Sequence, residues 1–240
     1  QVFAGNNKRT PETDKAVEDT KGLCLFYGNK VIGAYYASNC GGMSEDVENV
    51  WPGRSGPVPY WSSHFDSNEE LNYEPKNKPE EWINSNPDVF CNPNLHPELP
   101  EWSKKNFRWR VEMTDDELSN NLNEIKSIGE LQKIKIIERG NSGRIIKARF
   151  FGSEDSLDLN SELEIRKIKK PPFRSSCFVV EKTVDDLSKE IYVFKGAGWG
   201  HGVGMCQSGA VGRAFSGQTF GQILNHYFPN TEIKSVYSKL

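Results

Sequence analysis

The sequence has no C-x-x-C pair and no cluster of cysteine and histidine at the spacing of a zinc site; its five cysteines, Cys24, Cys40, Cys91, Cys177 and Cys206, stand far apart along the chain. Spacing therefore points to no metal ligand, and the expectation is a chain with no metal and no cofactor of its own. An odd count leaves at least one thiol without an intrachain partner, and leaves one disulfide or none equally open. No apolar run approaches the ~20 residues of a membrane helix, and no secretory signal pattern is present. No basic stripe breaks the balance of 30 basic and 33 acidic residues, so nucleic acid is not an expected partner. The opening Gln1-Val2-Phe3-Ala4-Gly5 has no initiator Met and reads as the start of a fragment or a processed form.

What the chain does have is enough apolar material for a core: 240 residues, 36% of them hydrophobic, with six Trp, thirteen Phe and eight Tyr. The aromatic load also suits sugar binding. Thr13 to Thr20 reads as a helix, and Leu23 to Tyr27 with Val31 to Tyr36 as a hairpin around Gly28-Asn29. From Trp51 to Pro100 the chain is rich in Pro, Asn, Ser and acidic residues, with a short helical piece at Pro79 to Asn84; residues 66–102 read as a loop-rich insertion. Trp109 to Met113 alternates like a strand, and Thr114 to Glu117 starts a helix. Lys133 to Glu138 and Arg144 to Phe151 form a hairpin around a Gly-containing loop, followed by a short strand at Ser156 to Leu159. Ser161 to Glu164 opens a further helix, and Cys177 to Glu181 pairs with Ile191 to Lys195. Two helices, Cys206 to Phe215 and Thr219 to Tyr227, follow a Gly-rich block. This mixed order predicts an α+β fold: one strand-rich compact unit over 1–240, with C-terminal helices.

Three constellations carry candidate chemistry. Glycines on both sides of His201 in Gly198-Trp199-Gly200-His201-Gly202-Val203-Gly204-Met205-Cys206 let the backbone approach a ligand, or else form a tight strand-to-helix turn with a structural His. No Lys-Ser/Thr pair follows them, which argues against a phosphate-cradling P-loop. Cys206, five residues after His201, is either a nucleophile or a small core residue. Tyr35 to Glu45 runs from a strand into the Gly41-Gly42 turn, with Glu48 and Trp51 beyond. Its hydroxyls, amide and carboxylates could face a polyhydroxylated ligand, Trp51 could stack on it, and Glu45 and Glu48 are either candidate acids or a solvated pair. His226 and Tyr227 close a helix before Pro229, and composition leaves packing and function both open there.

Together these motifs resemble the stage II sporulation protein D family, and its Bacteroidetes-type members above all. The resemblance rests on Gln1 to Gly5, Ala16 to Gly22, Gly41-Gly42, Glu45 to Trp51, Pro59-Tyr60-Trp61, Glu138 to Arg144, Leu163 to Arg166 and, most diagnostically, Gly198 to Ala210. It implies a secreted or envelope protein acting on peptidoglycan, either a lytic transglycosylase cleaving glycan strands or an enhancer of a cell-wall amidase. The resemblance places the family's catalytic glutamate, and the zinc site of some members, upstream of Gln1. No catalytic residue and no metal ligand are therefore carried over. It further implies a groove lined by Ser38, Gly41, Gly42, His201 and Tyr227, with peptidoglycan glycan strands as the partner. The Ala37-Ser38 pair departs from the His-Ser of many relatives.

Overall fold

The computed structural model describes residues 6–51, 53 and 57–237; the Gln1 to Gly5 part of the resemblance lies outside the described residues. Helix α1 (Pro11–Asp19) starts at the Thr10 cap, and β1 (Leu23–Tyr27), β2 (Lys30–Val31) and β3 (Tyr36–Ala37) follow. Next come α2 (Val47–Val50), α3 (Pro79–Asn84), α4 (Glu101–Phe107), β4 (Arg108–Thr114) and α5 (Asp115–Asn123). The hairpin β5 (Leu131–Arg139) and β6 (Ile145–Gly152) is joined by β7 (Ser156–Leu159), then α6 (Glu162–Arg166), β8 (Phe178–Val184) and β9 (Glu190–Ala197). The chain ends with β10 (Met205–Cys206), α7 (Gln207–Phe215), α8 (Phe220–Tyr227) and β11 (Glu232–Ser235). The fold is α+β and strand-rich, as the order of patterns predicts.

Two antiparallel sheets, β4-β9-β8 and β5-β6-β7, enclose the larger core. Alternation places them: Trp109 and Met113 of β4 point inward with half-buried Val111 between them, while Arg110 and Glu112 face out. The Thr114 hydroxyl accepts from the Glu117 N–H and starts α5, whose acidic first turn suits the positive end of the helix and whose Leu118 and Leu122 enter this core.

The second core joins distant parts of the chain. It gathers Leu25, Cys40, Val47, Trp61, Cys91, Cys206, Ile223, Tyr227 and Phe228 beneath β1, which pairs with C-terminal β11 as well as β2. Here the expected Val31 to Tyr36 strand is corrected: only Lys30–Val31 pairs with β1, and Tyr36–Ala37 leaves to run parallel to Met205–Cys206. Alternation within a segment shows that it is extended but not which partner takes it. Residues 66–102 are loop-rich, as expected, and Trp82 of α3 anchors them by packing against Phe65, Tyr73 and Arg108. The Arg108 guanidinium donates to the Trp82, Ile83, Gly41 and Phe107 carbonyls, tying this segment to β4.

Candidate functional site

The Gly-rich block is clamped from below. Asn39 and Trp199 exchange backbone hydrogen bonds of 3.1 and 2.7 Å, and Trp109 Nε1 donates to the Gly198 carbonyl at 3.0 Å. The Arg144 guanidinium is buried beneath Gly200 and Gly202, donating through Nε to the Gly200 carbonyl and through Nη2 to the Cys40 carbonyl, both at 3.3 Å. Its Nη1 donates to Ser142 Oγ, which in turn donates to Glu45 Oε2 at 2.6 Å. Asn49 Nδ2 and the Asp46 N–H donate to Glu45 Oε1.

Glu45 is thus 1% exposed and fully committed inside the protein, with burial raising its carboxyl above the ordinary range and its hydrogen bonds and Arg144 opposing that rise. The solvated-pair reading of Glu45 is corrected by this burial. Its carboxyl reaches no surface in this structure. Glu48 is half-buried.

Above this support lies a run of rings. Centroids step from Tyr27 to Tyr60 (5.1 Å), Trp61 (4.8 Å), Tyr35 (4.7 Å), Trp51 (4.9 Å) and His201 (5.0 Å). Tyr27 is exposed, Tyr35, Trp51, Tyr60 and His201 are half-buried, and Trp61 lies beneath, its Nε1 donating to the Gly33 carbonyl at 3.0 Å. Next to His201 the surface opens into a depression of about 360 Å³ lined by Ala34, Tyr35, Tyr36 and His201. The Val203 N–H donates to His201 Nδ1 at 3.0 Å, fixing the ring. Burial first, then the Arg144 and Arg166 charges, lower its pKa to about 4, so the imidazole is neutral at physiological pH. A neutral ring beside these mutually tilted aromatics presents an apolar surface and no charge. A larger depression of about 1100 Å³ has none of these rings in its lining; it lies beside α5, the turn at Glu154 and the start of β9 at Glu190, and its lining is polar and acidic.

The five residues expected to line a groove divide. His201 and Ser38 are half-buried near this surface, and the Ser38 carbonyl accepts from Ser208 N–H and Oγ. Gly41 and Gly42 are buried where chains press together: a Cβ on Gly41 would meet the Gly198 N at 2.9 Å, and one on Gly42 the Trp82 ring at 2.9 Å. Tyr227 is 1% exposed, its hydroxyl donating to Asp66 Oδ1 at 2.7 Å. Cys206 is no partner of His201; it is buried, and its Sγ accepts from the Cys40 and Gly209 N–H groups as the cap of α7.

Around Asp66 a second, largely buried group forms that sequence spacing did not reveal. Arg213 Nε donates to Asp66 Oδ1 at 3.2 Å, and Arg213 Nη2 donates to His226 Nε2 at 2.7 Å. Burial and the Arg213 charge lower His226 to about 3. Cys40, Cys91 and Cys206 close on Asp66 from three other stretches of chain, and all five cysteines are free thiols. Arg144, Ser142 and Asp66 were missed as site residues. The signals for the first two were the Gly-containing loop at 139–143, which reads locally as a hairpin turn, and the Glu138 to Arg144 stretch of the family resemblance; neither pointed to Glu45 as a partner.

Comparison with known proteins gives two curated relatives. The chain is 30% identical to the amidase enhancer of Bacillus subtilis (strain 168), a match covering 98% of this chain and 34% of that protein. It is 26% identical to an uncharacterized protein of Brachyspira hyodysenteriae (strain ATCC 49526 / WA1), covering 97% of this chain and 51% of that protein. The chain therefore spans about a third and about half of the length of these relatives. A family model described as a domain of unknown function, DUF8618, matches residues 45–204, from the buried Glu45 through the His201 block, and the chain belongs to that family.

Proposed function

We propose that this chain is the glycan-facing part of an amidase enhancer-like protein of the cell envelope, binding peptidoglycan glycan strands and presenting them to a cell-wall amidase. The observation that carries this reading is the run of rings from Tyr27 to His201 with the depression beside it. Sugar rings offer apolar C–H faces that pack on aromatic side chains and hydroxyls that bond to polar neighbours, and such a ledge meets both needs. The likeness to the Bacillus subtilis amidase enhancer supports the same process and an extracytoplasmic place of action. Among the described residues no helix is long and apolar enough to cross a membrane.

The finer alternative, lytic transglycosylase cleavage by the parent protein, requires a carboxyl group that alternates between acid and base at the scissile bond. Glu45, one of the two glutamates singled out in the sequence near the ledge, is closed off by Ser142 and Asn49, so its carboxyl is not free for that role in this structure, which favours binding over cleavage for this surface.

The deciding experiment measures binding of peptide-stripped glycan strands to the full chain by calorimetry, scores anhydro-MurNAc formation from those strands by the chain and by the longer parent protein, and scores amidase stimulation on intact, peptide-bearing peptidoglycan. Binding that drops about five- to twelvefold in Trp51→Ala, with amidase stimulation and no anhydro product, is the expected result, since losing one ring that packs on a sugar removes on the order of 1–1.5 kcal/mol. Unchanged binding in Trp51→Ala would remove the ledge from the interaction. Anhydro product would move the assignment to the transglycosylase.

A further inference from the structure

We propose that Cys40, Asp66, Cys91 and Cys206 form a buried binding site for one thiophilic divalent cation, with zinc as the ion whose chemistry fits best. One ligand atom from each residue lies within 4.8 Å of all the others, and all four residues are buried. The Cys40 and Cys91 sulfurs are 3.6 Å apart, too far for a disulfide, whose sulfurs stand at ~2.0 Å. Sulfur ligands at ~2.3 Å from a tetrahedral ion stand ~3.8 Å from each other. The observed spacing is thus close to that of a coordination edge.

Three further features favour a cation over an ordinary apolar contact of thiols. Asp66 Oδ2 is buried and has no hydrogen-bond partner, whereas Oδ1 of the same carboxylate is held by Tyr227 and Arg213. A buried carboxylate oxygen left unpaired is costly, and a metal ion would satisfy it. Backbone N–H groups already point at the sulfurs: Gly42 to Cys40, and Cys40 and Gly209 to Cys206, at 3.2 to 3.4 Å. Such N–H···S bonds stabilise thiolates and orient them, as the outer shell of a metal site does. Finally, the ligand-bearing segments are fixed in place without any metal, because the Asp66 N–H donates to the Gly42 carbonyl and the Phe90 N–H to the Asp66 carbonyl.

Soft thiolates select zinc or copper(I) over magnesium or calcium, and four protein ligands leave no open position for a substrate. The site is accordingly structural. On binding, the coordinating thiols release their protons to solvent and no electrons move. Its effect would be to pin the loop-rich 66–102 segment, through Asp66 and Cys91, to the Gly41-Gly42 turn and to the start of α7.

The test measures metal content of the full chain purified under reducing conditions, then titrates the metal-stripped chain with cobalt(II). The expected result is about one zinc per chain surviving dialysis, and a cobalt form with intense tetrahedral bands and sulfur-to-cobalt charge transfer. Cys24→Ser, outside the cluster, keeps both. Cys91→Ser loses the zinc or binds it far more weakly. If Cys91→Ser does not fold, Tyr227→Phe keeps all four ligands and weakens affinity by about 10- to 100-fold through the orientation of Asp66. A chain that retains no zinc and gives no charge-transfer band overturns the proposal, as does a Cys40–Cys91 disulfide in the isolated protein. Unchanged affinity in Tyr227→Phe would overturn the four-ligand assignment.

Discussion

Glu45 shows how a residue's neighbours decide what its chemistry is for. In sequence it follows a Gly-Gly turn and precedes Glu48, a pattern that fits a surface acid; in the fold, Ser142, 97 positions away, closes over it. Burial depends on that distant partner, and no local pattern encodes it. Arg144 shares the pocket through Ser142, so Arg144→Ala strands a buried carboxylate and should cost about 3 kcal/mol or more in urea denaturation. Glu45→Gln, which keeps the shape and removes the charge, should cost less. Its pH dependence has a definite sign. Because the folded pKa of Glu45 is raised above 4.5, the proton is held more tightly in the native state. The stability this provides is fully present below about pH 4.5 and is lost as pH rises through the folded value. The gap between the parent chain and Glu45→Gln should therefore narrow from pH 4.5 to pH 7. A gap that widens instead would mean that hydrogen bonds to the carboxylate outweigh its burial.

At the scale of elements, the turn that carries His201 is only as good as the guanidinium under it. Gly202 adopts φ +84°, and a Cβ there would lie 2.5 Å from Arg144 Cζ. Gly202→Ala thus combines left-handed backbone strain of about 1–2 kcal/mol with displacement of Arg144, and Tm should fall by several degrees more than in Gly28→Ala. Gly28, at φ +59° with nothing within 4 Å of its added Cβ, carries the strain alone. Equal losses in the two variants would separate Arg144 from the turn.

Elements built from local signals were legible in the sequence. The alternation of Trp109 to Met113, the helix start at Thr114, the helix expected over Thr219 to Tyr227 and the β5–β6 hairpin all stand where the pattern puts them. What the pattern could not show is pairing at long range: β1 with β11, β3 with β10, and Cys40 with Cys206, 166 positions apart. Of the site, the His201 block and Trp51 were visible as glycine and aromatic signals. The sulfur cluster was not, because each cysteine comes from a different stretch of chain.

For the whole molecule, the two largest cores differ in how they are held, and that difference should be measurable. The larger core is enclosed by three-stranded antiparallel sheets whose ladders run almost unbroken through β4, β8 and β9. The smaller is assembled from short strands, turns and the 66–102 segment around Trp61, Cys91 and Tyr227. Dense ladders open only with global unfolding, whereas short elements joined by loops open at lower free energy. Amide hydrogen exchange should therefore be slowest in β4, β6 and β9 and faster across residues 66–102. Glycan bound on the aromatic ledge should slow exchange at residues 34–36, 51 and 201–203 and leave β5, β6 and β7 unchanged, since those strands surround the other core. Protection spread equally over both cores would mean that the ligand stabilises the whole fold without a defined contact surface. Protection confined to the depression beside α5 would place the binding surface there instead.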